Sequence, residues 1–165
     1  MIRLYSKKSA LVFALAMMAN VALAQSFKVT SNGNPVSNND VIELPCEFED
    51  FSEGGEYMAV YTWNPHLDAV STGGSTALSV SVTPDENADG VTICWPSSCA
   101  MVSPGKTLTN NGTITNEPAD LQIHREVYAY SKEEGPTEVG TVKVEVSSGS
   151  ETMVFTIKCL LPVGN

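Results

Sequence analysis

The segment Val91-Thr-Ile-Cys-Trp-Pro-Ser-Ser-Cys99 decides the fold class of this chain. Its first half alternates apolar residues with threonine, which is the period of a half-buried strand. Pro96 ends that strand because proline has no backbone N–H to donate. Cys94 and Cys99 therefore lie on either side of a tight turn. A disulfide between them closes a very short loop and contributes about 2 kcal/mol, so its main effect is to fix local shape.

Short alternating segments of the same kind recur along the chain at spacings of about ten residues, and no apolar pattern has helical spacing over three turns. We therefore predict an all-β fold, an antiparallel two-sheet immunoglobulin-like sandwich of seven to eight strands that forms a single domain over residues 25–165. A closed barrel is the alternative. The predicted strands are Phe27–Thr30, Val41–Phe48, Tyr57–Trp63, Ala77–Thr83, Val91–Trp95, Leu121–Tyr130, Gly140–Ser147 and Glu151–Leu160.

Residues 1–24 have the pattern of a secretory signal peptide. Basic residues precede an apolar run at residues 10–21, and Ala22-Leu-Ala24 supplies small residues before a cleavage point at Gln25. We expect a secreted, periplasmic or cell-surface protein. The apolar run is shorter than the ~20 residues that span a bilayer, so we expect no membrane insertion after cleavage. An uncleaved N-terminal anchor is the alternative.

The chain is acidic, with 19 acidic and 9 basic residues and a formal net charge of −10. Arg3, Lys7 and Lys8 belong to the predicted signal peptide, so six basic and nineteen acidic residues remain after cleavage, a formal net charge of −13. Such a charge repels phosphate backbones and anionic lipid surfaces, which excludes nucleic acid and bare membrane as expected partners. Solubility of a secreted protein is the simpler explanation of the excess acid.

All four cysteines follow the predicted cleavage point, and an oxidising compartment favours two disulfides. Four cysteines allow three connectivities. Cys46 and Cys159 each share a strand face with apolar neighbours, so both are expected to point to the core. We therefore predict the pairs Cys46–Cys159 and Cys94–Cys99. A zinc site is the alternative, but the spacing of Cys94 and Cys99 and the lack of a C-x-x-C motif disfavour it.

The segment Thr92–Cys99, the strand Leu121–Tyr130 and the hairpin that begins at Gly140-Thr-Val-Lys-Val144 resemble small secreted immunoglobulin-like domains of Bacteroidetes. The start at Gln25 after an Ala-Leu-Ala box fits the same resemblance. In those domains a short loop bounded by cysteines lies in the middle of the chain. The resemblance covers most of residues 25–165 and implies a sandwich fold, but it implies no known reaction.

The segment Asp85-Glu-Asn-Ala-Asp-Gly90 matches the opening of a calcium loop, in which alternating oxygen ligands and a glycine bend wrap a hard cation. Asp85, Asn87 and Asp89 are the candidate ligands. The twelfth position is Pro96, where a calcium loop has a bidentate glutamate. A hairpin turn before Val91 explains the same residues, so calcium binding and a simple turn are both retained.

Two predicted strands carry candidate ligand-binding side chains. In an immunoglobulin-like topology the strands Tyr57–Trp63 and Leu121–Tyr130 are neighbours, and outward-facing rings and polar groups on both would suit a sugar or a peptide. The alternative is that Trp63 is a core residue, with Met58 and Val60 facing outward. The candidates are Tyr57, Tyr61, Trp63, His124, Tyr128 and Tyr130.

No motif in the sequence brings a nucleophile together with an acid or a base at the spacing of a known catalytic site. Ser97 and Ser98 lack a G-x-S-x-G context, and His66 follows Pro65 in a polar loop. We therefore predict a secreted, non-catalytic binding or surface-assembly module that needs no cofactor and has an extracellular protein or glycan as its partner. The alternatives are a small secreted hydrolase and a calcium-stabilised structural or adhesion subunit.

Overall fold

The computed structural model describes residues 25–162. The predicted signal peptide, residues 1–24, lies outside the described residues, as do residues 163–165. The described part contains fourteen β-strands and no α-helix, so the all-β prediction is confirmed and no helix there could cross a membrane. In chain order the strands are β1 (Phe27–Ser31), β2 (Asn34–Pro35), β3 (Val41–Leu44), β4 (Glu47–Asp50), β5 (Ala59–Trp63), β6 (Leu67–Ser71), β7 (Thr76–Pro84), β8 (Val91–Cys94), β9 (Cys99–Val102), β10 (Leu108–Ile114), β11 (Ala119–Asp120), β12 (Ile123–Ala129), β13 (Gly140–Ser148) and β14 (Glu151–Cys159).

The fourteen strands form three sheets. Sheet 1 has the order β11-β6-β1-β2, sheet 2 has β10-β7-β13-β14-β3, and sheet 3 has β4-β5-β12-β8-β9. Neighbouring strands are antiparallel except for β3, which pairs in parallel with β14. The inward-facing apolar residues of the three sheets form one hydrophobic core.

The number of sheets and strands differs from the predicted two sheets of seven to eight strands, and a bent ladder explains part of the difference. β5 pairs with β12 in sheet 3, while their continuations β6 and β11 pair with each other in sheet 1. Pro65 has no N–H to donate at the bend. His66 and Gln122 have φ values of 44° and 35°, outside the extended range. One long antiparallel ladder is therefore divided between two sheets.

Sheet 2 shows the alternation that the sequence predicts. The three long strands β7, β13 and β14 each bury every second residue over most of their length, and most of the buried residues are large and apolar. Their outward residues are mostly serine, threonine, lysine and glutamate. A one-residue shift in register would move the apolar set to solvent, so burial fixes the pairing of these strands.

The turn after β8 connects sheet 3 to the edge of sheet 2. The predicted disulfide between Cys94 and Cys99 is confirmed. Trp95, between the two cysteines, is buried, and its carbonyl accepts a hydrogen bond of 2.6 Å from Nδ2 of Asn110 on β10. A Cβ atom built on Gly112 would lie only 2.8 Å from Cη2 of Trp95. The absence of a side chain at Gly112 is therefore what lets the indole pack against β10.

The other predicted disulfide is not present, because Cys46 and Cys159 are free thiols in the structure. β3 ends at Leu44, which pairs with Cys159, and the chain then crosses from sheet 2 to sheet 3. Cys46 lies in that crossing and its Sγ is 3.4 Å from the carbonyl oxygen of Glu47. The predicted strand Val41–Phe48 is divided into β3 and β4, and Cys46, in the connection between them, packs against the core without bonding to Cys159.

We predict that Gly112→Ala lowers the free energy of unfolding by about 1–3 kcal/mol, because the new methyl group must displace the indole of Trp95. The measurement is a urea denaturation curve. Gly73→Ala is the matched control, since a Cβ there meets nothing within 4 Å and neither glycine has a positive φ. An unchanged midpoint for Gly112→Ala would show that Trp95 does not pack on β10.

We also predict different reactivities for the two free thiols. Burial raises the pKa of the Cys159 thiol to about 11, and the nearby Arg125 cation offsets only part of that rise. Because the thiolate is the reactive form, iodoacetamide should modify Cys46 in the native protein and Cys159 only after unfolding. Peptide mapping by mass spectrometry measures both. A Cys46–Cys159 peptide in an unreduced digest of the exported protein would instead show that the predicted disulfide forms.

Candidate functional site

The inward side chains of β5 and β12 belong to the core rather than to a ligand site. Trp63 is 1% exposed and Tyr61 is 9% exposed. Both point inward with Ala59, and the outward positions of β5 are Val60 and Thr62. The proposed ligand-binding role of Tyr61 and Trp63 therefore disagrees with the structure, which agrees with the alternative that Trp63 is a core residue.

Trp63 packs against a buried cation that the sequence analysis did not identify. Arg125 pairs with Trp63 across β5 and β12, is 3% exposed, and places its guanidinium carbon 4.6 Å from the centre of the indole ring. Its Nε and Nη2 donate hydrogen bonds of 2.9 Å to the carbonyls of Asp89 and Asn87. The sequence places Arg125 at an odd position of Leu121–Tyr130, on the face that alternation assigns to the core. An arginine on that face is the signal that indicates a buried cation.

The segment predicted as a possible calcium loop is held by protein groups in the structure. The carboxylate of Asp89 accepts a hydrogen bond of 2.8 Å from Nη2 of Arg125. Oδ2 of Asp85 accepts hydrogen bonds of 2.9 Å and 2.6 Å from the backbone N–H and the hydroxyl of Thr141, and Oδ1 accepts the N–H of Asn87. Within residues 25–162 no group of three metal-ligating side chains is assembled. The positive charge at this loop is the guanidinium.

The outward side chains of sheet 3 form an acidic surface. Thr62 on β5 lies between Glu47 on β4 and Glu126 on β12. In the next row Val60 lies beside Glu49. None of the lysines and arginines of residues 25–162 forms an ion pair with these three glutamates.

Large apolar side chains lie among those glutamates. Tyr128, which pairs with Val60, is 50% exposed, and Phe51 is 51% exposed. With Met58 they line an open groove of about 480 Å³. We call this groove the outer face of sheet 3, and it comprises Glu47, Glu49, Phe51, Met58, Val60, Thr62, Glu126 and Tyr128.

Of the four remaining predicted ligand-binding residues, the structure places Tyr128 on this surface and His124 beside it, and it places the other two elsewhere. Tyr128 belongs to the outer face, and its hydroxyl is 3.3 Å from Oε2 of Glu126, whose charge raises the pKa of Tyr128. His124 lies two residues earlier on β12, with Nε2 3.9 Å from Oε1 of Glu126. Tyr57 and Tyr130 line a separate concavity of about 530 Å³.

We predict that Arg125→Lys lowers the free energy of unfolding by about 2–4 kcal/mol. Lysine keeps the charge but cannot donate to both loop carbonyls while it stacks on the indole. Asp89→Asn should cost less, because the Asp89 side chain is 68% exposed. Thermal unfolding of the wild-type protein in calcium and in chelator tests whether segment 85–90 binds calcium or is held by protein groups alone. A melting temperature that rises with calcium in the wild-type protein would restore the calcium prediction.

The chain has a structural likeness to a solved β protein and no match among family models. No protein-family model and no curated protein matches the sequence. Among solved structures, the chain is similar to the solution structure of R. palustris CsgH, with 14% sequence identity and a TM-score of 0.20. The alignment covers 68% of this chain and 89% of that chain.

Proposed function

We propose that this chain is a non-catalytic binding or surface-assembly module of the immunoglobulin-like type, and that it takes an extracellular protein or glycan on the outer face of sheet 3. The observation that carries the proposal is the exposure of Phe51 and Tyr128 in one groove with Met58. Exposed apolar groups that lie together and are rimmed by polar residues are a feature of interaction sites on soluble proteins. Aromatic side chains also contribute most strongly to binding when a partner covers them.

The strands beneath this surface support a binding role. Tyr128 and Val60 project from β12 and β5, and the opposite faces of those strands carry the buried pair Arg125 and Trp63. The ligand-facing residues are therefore carried by strands that the core holds in place. Binding groups on such a framework lose little conformational freedom when a ligand arrives.

The compartment and the chemistry of the chain are consistent with this proposal. The Cys94–Cys99 disulfide supports a location in the periplasm or outside the cell, where disulfides persist. A small hydrolase has less support, because the His124 imidazole is 3.9 Å from the nearest Glu126 oxygen, beyond hydrogen-bonding distance. The other histidine, His66, is exposed at the bend between β5 and β6.

We predict that Tyr128→Ala and Phe51→Ala each weaken binding by about 1–3 kcal/mol without changing the melting temperature, because both side chains are half-exposed. The measurement is a panel of glycans and extracellular protein segments read by titration, with a thermal melt of each variant. Val154→Ala, on the outer surface of sheet 2, is the control for binding. Trp63→Ala should cost about 3–5 kcal/mol of stability.

The proposal fails if Tyr128→Ala and Phe51→Ala bind every ligand as the wild-type protein does. It also fails if either variant melts as early as Trp63→Ala, because the ring would then belong to the core.

A further inference from the structure

The charged side chains on the outer face of sheet 3 are all glutamates. Glu47 and Glu126 lie on either side of Thr62, two strand spacings or about 10 Å apart, and Glu49 lies two residues along β4 from Glu47. Three carboxylates thus surround the apolar middle of the groove. Among the ion pairs of the described residues, only the contact between His124 and Glu126 includes one of these three carboxylates.

The outer surface of sheet 2 provides an internal comparison. There Lys143 lies 3.9 Å from Glu145, and Lys158 lies 2.7 Å from Glu43. Two of the acidic side chains on that sheet, Glu43 and Glu145, therefore have lysine partners within the chain. The overall acidity of the protein alone does not explain why the acids of sheet 3 lack lysine or arginine partners.

From this arrangement we infer that the ligand of the outer face of sheet 3 is a cationic protein segment, one that presents arginine or lysine side chains. The inference rests on the proposed function and specifies its ligand. Arginine and lysine combine an apolar stem with a charged head. The stem matches Met58 and Val60, and the head matches the carboxylates of Glu47, Glu49 and Glu126.

The aromatic residues add a second reason for this ligand class. A cation placed over the face of a tyrosine or phenylalanine ring is attracted to it, and arginine does so most often. Tyr128 lies in the row next to Glu126, and Phe51 lies just beyond the end of β4. A single arginine side chain of the ligand could therefore be attracted both to a carboxylate and to an aromatic ring of this surface. The groove is also accessible from the side, because β4 is the edge strand of sheet 3 and all four of its residues are exposed.

The experiment uses the exported protein and three probes. The first is an extended peptide of alternating arginine and valine, the second replaces arginine with glutamine, and the third is a panel of neutral oligosaccharides. We expect the arginine peptide to bind, its affinity to fall as ionic strength rises, and the glutamine peptide to bind about tenfold more weakly or worse.

Matched double variants separate the site from the net charge of the protein. Glu47→Gln with Glu126→Gln should weaken binding of the arginine peptide about tenfold. Glu43→Gln with Glu145→Gln removes the same charge from sheet 2 and should leave that affinity unchanged. Thermal melts of both double variants check that the fold is intact. Equal losses in the two double variants would overturn the inference, because binding would then follow net charge.

Two further outcomes distinguish this inference from the proposed function. If a neutral oligosaccharide or the glutamine peptide binds best, and Tyr128→Ala abolishes that binding, the cationic ligand is wrong while the proposed function stands. If no probe binding responds to Tyr128→Ala or Phe51→Ala, both are wrong.

Discussion

The contact between Arg125 and Trp63 is the interaction on which the rest of the structure depends. A buried guanidinium is costly unless its N–H groups find acceptors. Here Nε and Nη2 donate to the carbonyls of Asp89 and Asn87 and the indole ring covers one face, while Nη1 is buried without a hydrogen-bond partner among the described residues. The arginine therefore joins the loop between β7 and β8 to the centre of sheet 3. Gly140 lies so close to Nη1 that a Cβ there would approach it to 2.9 Å. The start of β13 is thus packed around the same cation.

The same strands that bury this contact also present the acidic and aromatic surface. Inward and outward residues alternate along β5 and β12, so each residue of the core fixes the position of its outward neighbour. On β5 Val60 lies between the buried residues Ala59 and Tyr61, and on β12 Tyr128 precedes the buried Ala129. The core and the proposed binding surface therefore occupy opposite faces of one pair of strands.

Much of the fold could be predicted from the sequence, because alternation reports burial directly. The all-β class, the inward sets of sheet 2 and the Cys94–Cys99 disulfide follow from local patterns. The bend at Pro65 and Gln122, the free state of Cys46 and the partner of Arg125 depend on where the chain goes after a strand ends. Alternation correctly places Tyr61 and Trp63 on one face of a strand. It does not say whether that face is in the core or in water, which is why their exposure could not be predicted.

The parallel pairing of β3 with β14 has a consequence for the order of folding. Glu43 and Lys158, joined across this pair at 2.7 Å, are 115 residues apart in sequence. Closing so long a loop costs chain entropy before any contact repays it, which makes such pairings late steps. Sheet 2 therefore cannot be completed until its last strand is available. A chain synthesised from its N-terminus would reach the native state only after β14, the last strand of the described residues, has left the ribosome.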